Sequence, residues 1–334
     1  MAKDPLARFP ALRLRRPRAA DWSRRLFAET TLSVNDLIQA IIIKDGAGVR
    51  EPVEAMPGIF RLSPDEAVKA ALEAHGLGLP AIALFPYTDA SNRSPNGAEA
   101  LNPNNVMCRT ARAIKDAVPE IGLLGDVALD PYTDHGHDGL MENGEIVNDA
   151  TLDMLVRQAV VEAEAGFDII APSDMMDGRV GAIRENLDSA GFSSVQIMSY
   201  SAKYASAFYG PYREAIGSAG VLQGDKRTYQ MNAANSDEAL REVALDLAEG
   251  ADSVMVKPGL AYLDIITRIK ETFGAPTFVF QVSGEYAMIK SAADKGWIDG
   301  DAAMFESLLA FKRAGATGII TYFGIDAAKK LKRA

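Results

Sequence analysis

DSVMVKPG (residues 252–259) is a short β-rich run that stops at a lysine, Lys257, and passes at once into Pro258 and Gly259. Outward from it in both directions the chain repeats the same unit. AIIIK (40–44), AIALF (81–85), IGLLGDVAL (121–129), FDIIAPSD (167–174) and SVQIMSY (194–200) precede it, and PTFVFQVSG (276–284) and GIITYFG (318–324) follow, making eight runs. Helix-like segments lie between them, such as SPDEAVKAALEAHG (63–76), NDATLDMLVRQAVVEAEAG (148–166) and SDEALREVALDLAEG (236–250). In the last of these Ser236 is expected to cap, Asp237 and Glu238 suit the positive helix N-terminus, and Gly250 can close the far end. Short strands alternating with longer helices are the rhythm of a parallel sheet. Eight such units in 334 residues suit a (β/α)8 TIM barrel better than an open doubly wound sheet. No GxGxxG follows a strand and opens a helix, and no GxxxxGK followed by Ser or Thr occurs, so nucleotide-binding sheets lose their usual support. The barrel is expected over 31–334, preceded by an extended N-terminal arm, 1–30.

Bulk properties narrow the function classes. No apolar run reaches the roughly 18 residues a spanning helix needs, and the N-terminus lacks the apolar core of a secretory signal, so a cytoplasmic protein without a membrane partner is expected. The single cysteine, Cys108, excludes an internal disulfide and any multi-cysteine metal site, and reads as a buried free thiol. Net charge is −10, which argues against general nucleic-acid binding. The charge is uneven: residues 1–25 hold eight Lys/Arg against Asp4 and Asp21, about +6, and leave the remainder near −16. A basic arm on an acidic body suits a segment that lies on another copy of the chain, although a solvated tail fits the charge equally.

In a (β/α)8 barrel the chemistry sits at the C-terminal strand ends. Two lysines are found there: Lys257, and Lys203 just after SVQIMSY, both among apolar, aromatic or small residues. A lysine in water has a pKa near ~10.4 and is almost wholly protonated. Burial, or a second ammonium close by, disfavours the charge and can bring the pKa towards ~7, a shift worth roughly 4 kcal/mol. Two lysines facing one cavity supply both effects, and the chemistry this opens is imine formation with a ketone.

The segments MSYSAKYASAFYGPYREA (198–215), YQMNAANSDEALREV (229–243), EGADSVMVKPGLAYLDI (249–265), FQVSGEYAMI (280–289) and TYFGIDAAKK (321–330) resemble, in order, those of the porphobilinogen synthases (5-aminolevulinate dehydratases). The likeness runs from ETTLSVNDLI (29–38) to the end of the chain. It implies a (β/α)8 barrel with an N-terminal arm, and condensation of two 5-aminolevulinates into porphobilinogen with loss of two waters, in tetrapyrrole biosynthesis. By motif, Lys257 matches the lysine that forms a Schiff base with the substrate supplying the propionate side, and Lys203 the one that engages the substrate supplying the acetate side. Arg213 and Arg227 match lid residues that bind one carboxylate, a task suited to guanidinium forks. Ser283 and Tyr322 match residues that bind the other. Asp126, Asp174 and Tyr200 are further candidates for polar or proton-transfer roles. The family commonly forms octamers of arm-hugging dimers, or hexamers when the arm detaches.

One stretch departs from the family pattern. Within GDVALDPYTDHGHDG (125–139), where many members carry three zinc-binding cysteines, this chain has Ala128, Asp130 and Asp138. Alanine offers zinc no ligand, so a zinc–thiolate site is absent, and no cofactor is expected for catalysis. His135, His137 and nearby aspartates read either as a harder site for magnesium or as polar loop residues. Glu242 matches a carboxylate that in some members holds an allosteric magnesium, and reads equally as a solvated helix residue. Competing readings are a class I aldolase, which needs only one strand-end lysine, a non-catalytic keto-acid-binding protein, and a metal hydrolase built around 135–137. The basic arm, punctuated by Pro5, Pro10 and Pro17, suits an extended clasp more than an independent helix. Deleting residues 1–25 is expected to lower the mass of the assembly in light scattering, and an unchanged mass would count against a clasp.

Overall fold

The computed structural model describes residues 8–218 and 220–332, so Asp4 and Pro5 of the arm lie outside the described residues. Eight parallel strands form the barrel: β1 (Leu37–Ile43), β2 (Ala81–Pro86), β3 (Gly122–Val127), β4 (Ile169–Pro172), β5 (Gln196–Lys203), β6 (Ser253–Lys257), β7 (Thr277–Gln281) and β8 (Gly318–Thr321). They pair in chain order, and β8 returns to β1 through Leu37–Ile319, Ile38–Ile320 and Gln39–Thr321, which closes the cylinder. Every residue of β1, β2 and β6 is buried, as expected when helices cover the outside and side-chain layers fill the inside. The helical cover includes α1 (Pro64–Leu77), α2 (Val106–Ala117), α3 (Asn148–Glu164), α4 (Arg179–Ser189), α5 (Asp237–Ala248), α6 (Leu263–Phe273), α7 (Gly300–Arg313) and α8 (Gly324–Leu331). The (β/α)8 expectation therefore holds, and Cys108 is a buried thiol on α2, its pKa pushed up to about 12 by burial.

Two local expectations need correction. Ser236 stands at the start of α5 but makes no cap bond; its hydroxyl instead accepts from Arg268 Nη1 at 2.6 Å, while Asp237 and Glu238 fill the first turn. A positive φ of 104° at Gly250 does end the α5 unit as expected. The arm is not extended throughout: residues Asp21–Leu26 form a short helix, in which Asp21 pairs with Arg24 and Arg25 one turn on. Phe9, Leu14, Trp22, Leu26 and Phe27 of the arm are exposed. Among the described residues no helix is long and apolar enough to cross a membrane.

Two features of the barrel shape its C-terminal mouth. Between the Ser199–Val254 and Ala202–Val256 pairs, β5 carries two residues against one on β6, and this register shift sets Lys203 directly opposite Lys257. Because side chains alternate faces along a strand, an unshifted register would have put Ala202 there and turned Lys203 to the other face. The second feature is the long excursion after β5. It leaves at Tyr204 and returns at Met231, where Met231 N donates to Lys203 O at 3.0 Å and Ala205 N to Met231 O at 2.8 Å. The excursion is thus a lid stitched shut at its own root, directly above the two lysines.

Candidate active site

Both lysines are 4% exposed, but their surroundings differ. The Lys257 ammonium lies over four rings, at 4.9 Å from the centroid of Phe280, 5.0 Å from Tyr200, 5.2 Å from Tyr212 and 5.4 Å from Tyr209. Burial first, and the neighbouring Lys203 charge second, bring its pKa down to about 7, against the upward pull of Asp126, Asp130 and Asp138. An amine with that pKa is part unprotonated at neutral pH and can attack a ketone carbon. The ring faces hold it in place while it is still charged.

Lys203 has carboxylate and carbonyl company. Its Nζ donates to Asp138 Oδ1 at 3.0 Å and to the Ser173 carbonyl at the end of β4. Asp138 in turn meets a third lysine, Lys226 of the lid, at 2.6 Å, and Lys226 reaches Asp130 at 3.1 Å. Burial works to raise the Asp138 carboxyl, but Lys203 and Lys226 outweigh it and hold it well below the usual range. Burial likewise works against the Lys226 charge, and Asp130 and Asp138 outweigh it, so Lys226 stays protonated. The result is a row of alternating charges, Lys203, Asp138, Lys226 and Asp130, with Lys257 at its apolar end.

The remaining expected residues divide. Arg213 lines the cavity with Asp130, Lys203, Tyr209, Tyr212, Lys226 and Lys257, whereas Arg227 does not. Its side chain is 81% exposed, beside Asp225, because the lid turns outward immediately after Lys226. Asp126 faces the lysines: one carboxylate oxygen is buried without a hydrogen-bond partner, and burial, opposed by Lys257, pushes its pKa up to about 6. Tyr200 and Tyr322 are buried with unpartnered hydroxyls, and Tyr322 stands behind Phe280, ring centroids 6.0 Å apart. Ser283 sits at the start of the helix after β7 with its hydroxyl 3.4 Å from the Phe208 carbonyl. Asp174 points away from the cavity, towards Arg179 at 3.6 Å, in a buried pairing that continues to Asp246. Its pKa is pushed up to about 6 by burial.

Sequence reasoning missed Lys226, Tyr209 and Tyr212. It also missed the two arginines that latch the lid from neighbouring loops: Arg61 donates to the Ala215 and Glu214 carbonyls at 2.7 and 2.6 Å, and Arg93 to the Ile216 carbonyl at 2.8 Å. The aspartates at 130 and 138 were the available signal for Lys226, since two buried carboxylates near one another demand a cation. With the lid latched, the cavity has about 30 Å³ of room, enough for water.

A family model described as delta-aminolevulinic acid dehydratase matches residues 11–330. The chain belongs to the delta-aminolevulinic acid dehydratase family. It is 62% identical to the delta-aminolevulinic acid dehydratase of Bradyrhizobium diazoefficiens, covering 99% of this chain and 95% of that protein. To the Rhodobacter capsulatus dehydratase it is 51% identical, over 96% and 97% of the two chains. The fold is similar to the crystal structure of the Toxoplasma gondii dehydratase in complex with the reaction product porphobilinogen, with a TM-score of 0.93 and 45% identity over 96% of this chain and 91% of that one.

For a delta-aminolevulinic acid dehydratase, the donor set in the 128–138 loop does not fit zinc. Ala128 contributes a buried methyl, and the Lys226 ammonium stands between Asp130 and Asp138, where a cation would have to bind. His135 and His137 are engaged elsewhere: His135 Nε2 with the Pro95 carbonyl at 3.2 Å, and His137 with Tyr229 Oη at 3.0 Å and the Gln223 carbonyl at 2.6 Å. Among the described residues no three His, Cys, Asp or Glu side chains converge on a metal-binding position. Glu242 lies outside the barrel, half-buried among Asp177 and Glu238 in a surface cleft that Arg227 also lines.

The like-charge effect on Lys257 can be measured. In Lys203→Met the opposing ammonium is gone and the midpoint at which Lys257 loses its proton rises, read as the pH dependence of its acylation by a small amine-reactive reagent with peptide mapping. An unmoved midpoint would assign the whole shift to burial.

Proposed function

We propose that this chain condenses two molecules of 5-aminolevulinate to porphobilinogen through imines on Lys257 and Lys203. The observation that carries the reading is the register pairing of two buried lysines, one of which is lowered to about pKa 7. Each neutral amine adds to a substrate ketone, and loss of water leaves an imine that withdraws electrons and acidifies the neighbouring carbon. Bond formation between the two substrates, attack of one substrate amine on the other imine and a final proton loss close the pyrrole. In total two waters leave and both lysines are released.

The asymmetry of the site supports different tasks for the two lysines. Lys257, held by rings, is the amine that turns neutral most readily and binds the propionate-side substrate. Lys203, tied to Asp138, engages the acetate-side substrate. Arg213, on the cavity wall, is the guanidinium assigned to one substrate carboxylate; Arg227 reaches the site only through movement of the lid. Ser283 and Tyr322 take the other carboxylate. Asp126, with its unpartnered buried oxygen and raised pKa, is the group assigned to proton transfer beside Lys257. The reading includes a cytoplasmic homo-oligomer, octamer or hexamer, and the exposed apolar side chains of the arm support a clasp on another copy. A class I aldolase would leave the second lysine and its aspartate row without a task.

A pyrrole colour assay with 5-aminolevulinate tests the reading. Lys257→Ala is expected to fold and fall to the uncatalysed background, and Lys257→Arg to fail equally, since arginine stays protonated; wild-type rates in either would sink the assignment.

Catalysis in this reading needs no metal, because Lys226 supplies the positive charge between Asp130 and Asp138, and the imines supply the activation a Lewis acid would give. A magnesium ion at Glu242 acts from outside the active site, as a regulator. Protein stripped with EDTA is expected to keep most of its activity at saturating substrate. Complete loss on chelation, restored by stoichiometric zinc or magnesium, would overturn the metal-free reading.

A further inference from the structure

We propose that the Glu285 carboxylate is a positioning residue that holds the turn after Lys257 against the helix start at Ser283, and so sets the reach of Lys257 into the site. The inference rests on the reading of Lys257 as an imine-forming lysine. Glu285 is fully buried and accepts three backbone N–H groups from two separate segments: Leu260 at 2.5 Å, Val282 at 2.7 Å and Gly259 at 3.3 Å. Gly259 and Leu260 are the second and third residues beyond Lys257, and Val282 immediately precedes Ser283. One side chain thus joins the exit of β6 to the exit of β7.

A helix cap would need only the Val282 bond; the two bonds to the turn after β6 are what a cap does not explain. The lid root rests on the same junction. Gly284 packs so closely on the Phe208 backbone that a Cβ there would lie 2.4 Å from the Phe208 carbonyl oxygen. The Tyr209 hydroxyl donates to the Tyr204 carbonyl at 2.8 Å and lies 3.3 Å from the Lys257 carbonyl.

Burial works against the charge on Glu285. Tyr209 and Tyr262 are the titratable groups facing Glu285, and neither supplies a positive charge. Burial pushes the Glu285 carboxyl up to about 7, although the three N–H groups pull the other way. A carboxyl raised in the folded state favours folding most where it is protonated, and that contribution is lost as the pH rises through about 7. Near neutral pH Glu285 is therefore poised between its neutral and charged forms, with three backbone N–H groups and no cation to favour the charge.

Glu285→Gln removes the charge and points an NH2 at partners that are all donors. The test incubates wild type and variant with 5-aminolevulinate and cyanoborohydride, and quantifies reduced adduct on Lys257 and on Lys203 by peptide mapping. Adduct formation at Lys257 is expected to fall roughly ten- to a hundredfold, the scale of an ångström-sized misplacement, while Lys203 stays within about threefold of wild type. Glu285→Asp, which keeps the charge and the Val282 bond but is one carbon short of the turn, is expected to show the same selective loss to a smaller degree, and it serves where the glutamine variant does not fold. Unchanged Lys257 trapping, or parallel loss at both lysines, would overturn the proposal while leaving Lys257 as the nucleophile. Wild-type protein that traps substrate on Lys203 and never on Lys257 would bring down the nucleophile assignment and the proposal with it.

Discussion

Two like charges held side by side inside a barrel are the constraint around which this molecule is arranged. A one-residue register shift between β5 and β6 sets Lys203 opposite Lys257, and neither ammonium reaches bulk water. Burying one such charge without compensation is costly, and burying two as neighbours is more so. The structure answers the two lysines differently: Lys203 receives a carboxylate and a carbonyl, whereas Lys257 receives aromatic faces and gives up its proton near neutral pH.

The aspartates that compensate Lys203 bring an imbalance of their own, which the lid corrects. Asp138 and Asp130 would be buried acids competing for one cation; Lys226 arrives from the lid and lies between them. Closure is thereby tied to charge balance, since a lid that lifts carries Lys226 away and leaves Asp138 with Lys203 alone. The latches from Arg61 and Arg93 to lid carbonyls hold the closed state by neutral acceptors outside this charge row. The position of the lid and the charge balance of the site are therefore linked through one side chain.

The same logic separates chemistry from support on the far side of the barrel. Asp174, which by its strand-end position is a candidate for proton transfer, is drawn off by Arg179 and Asp246 into a buried pairing that ties β4 to α4 and α5. Asp126, one strand earlier, has no arginine beside it, and the cations that act on it are Lys257 and Lys203. Two aspartates near the C-terminal ends of neighbouring strands, with pKa values both raised to about 6, thus differ in surroundings because only one has an arginine beside it.

What the sequence by itself determined is periodic or local. The eight strand runs, the barrel they imply, the lysines at two strand ends and the buried Cys108 all follow from hydrophobic pattern and residue chemistry, and the missing thiolates at 128, 130 and 138 from the family resemblance. Motif likeness pointed further, to Arg213, Ser283 and Tyr322, and of these Arg213 lines the cavity that holds the two lysines. Four things were settled only by the tertiary structure. The register shift that pairs the lysines depends on how β5 packs against β6. The place of Lys226 between two aspartates more than eighty residues earlier, and the outward turn of Arg227 one residue later, depend on how the lid folds over the mouth. The fate of Ser236, which bonds Arg268 in preference to its own helix, depends on a neighbour from α6. For the lysine pair, Lys226 and Ser236 the deciding energy is a contact between segments distant in sequence, where strand pairing, an ion pair or a hydrogen bond outweighs the local preference of the residue that makes it.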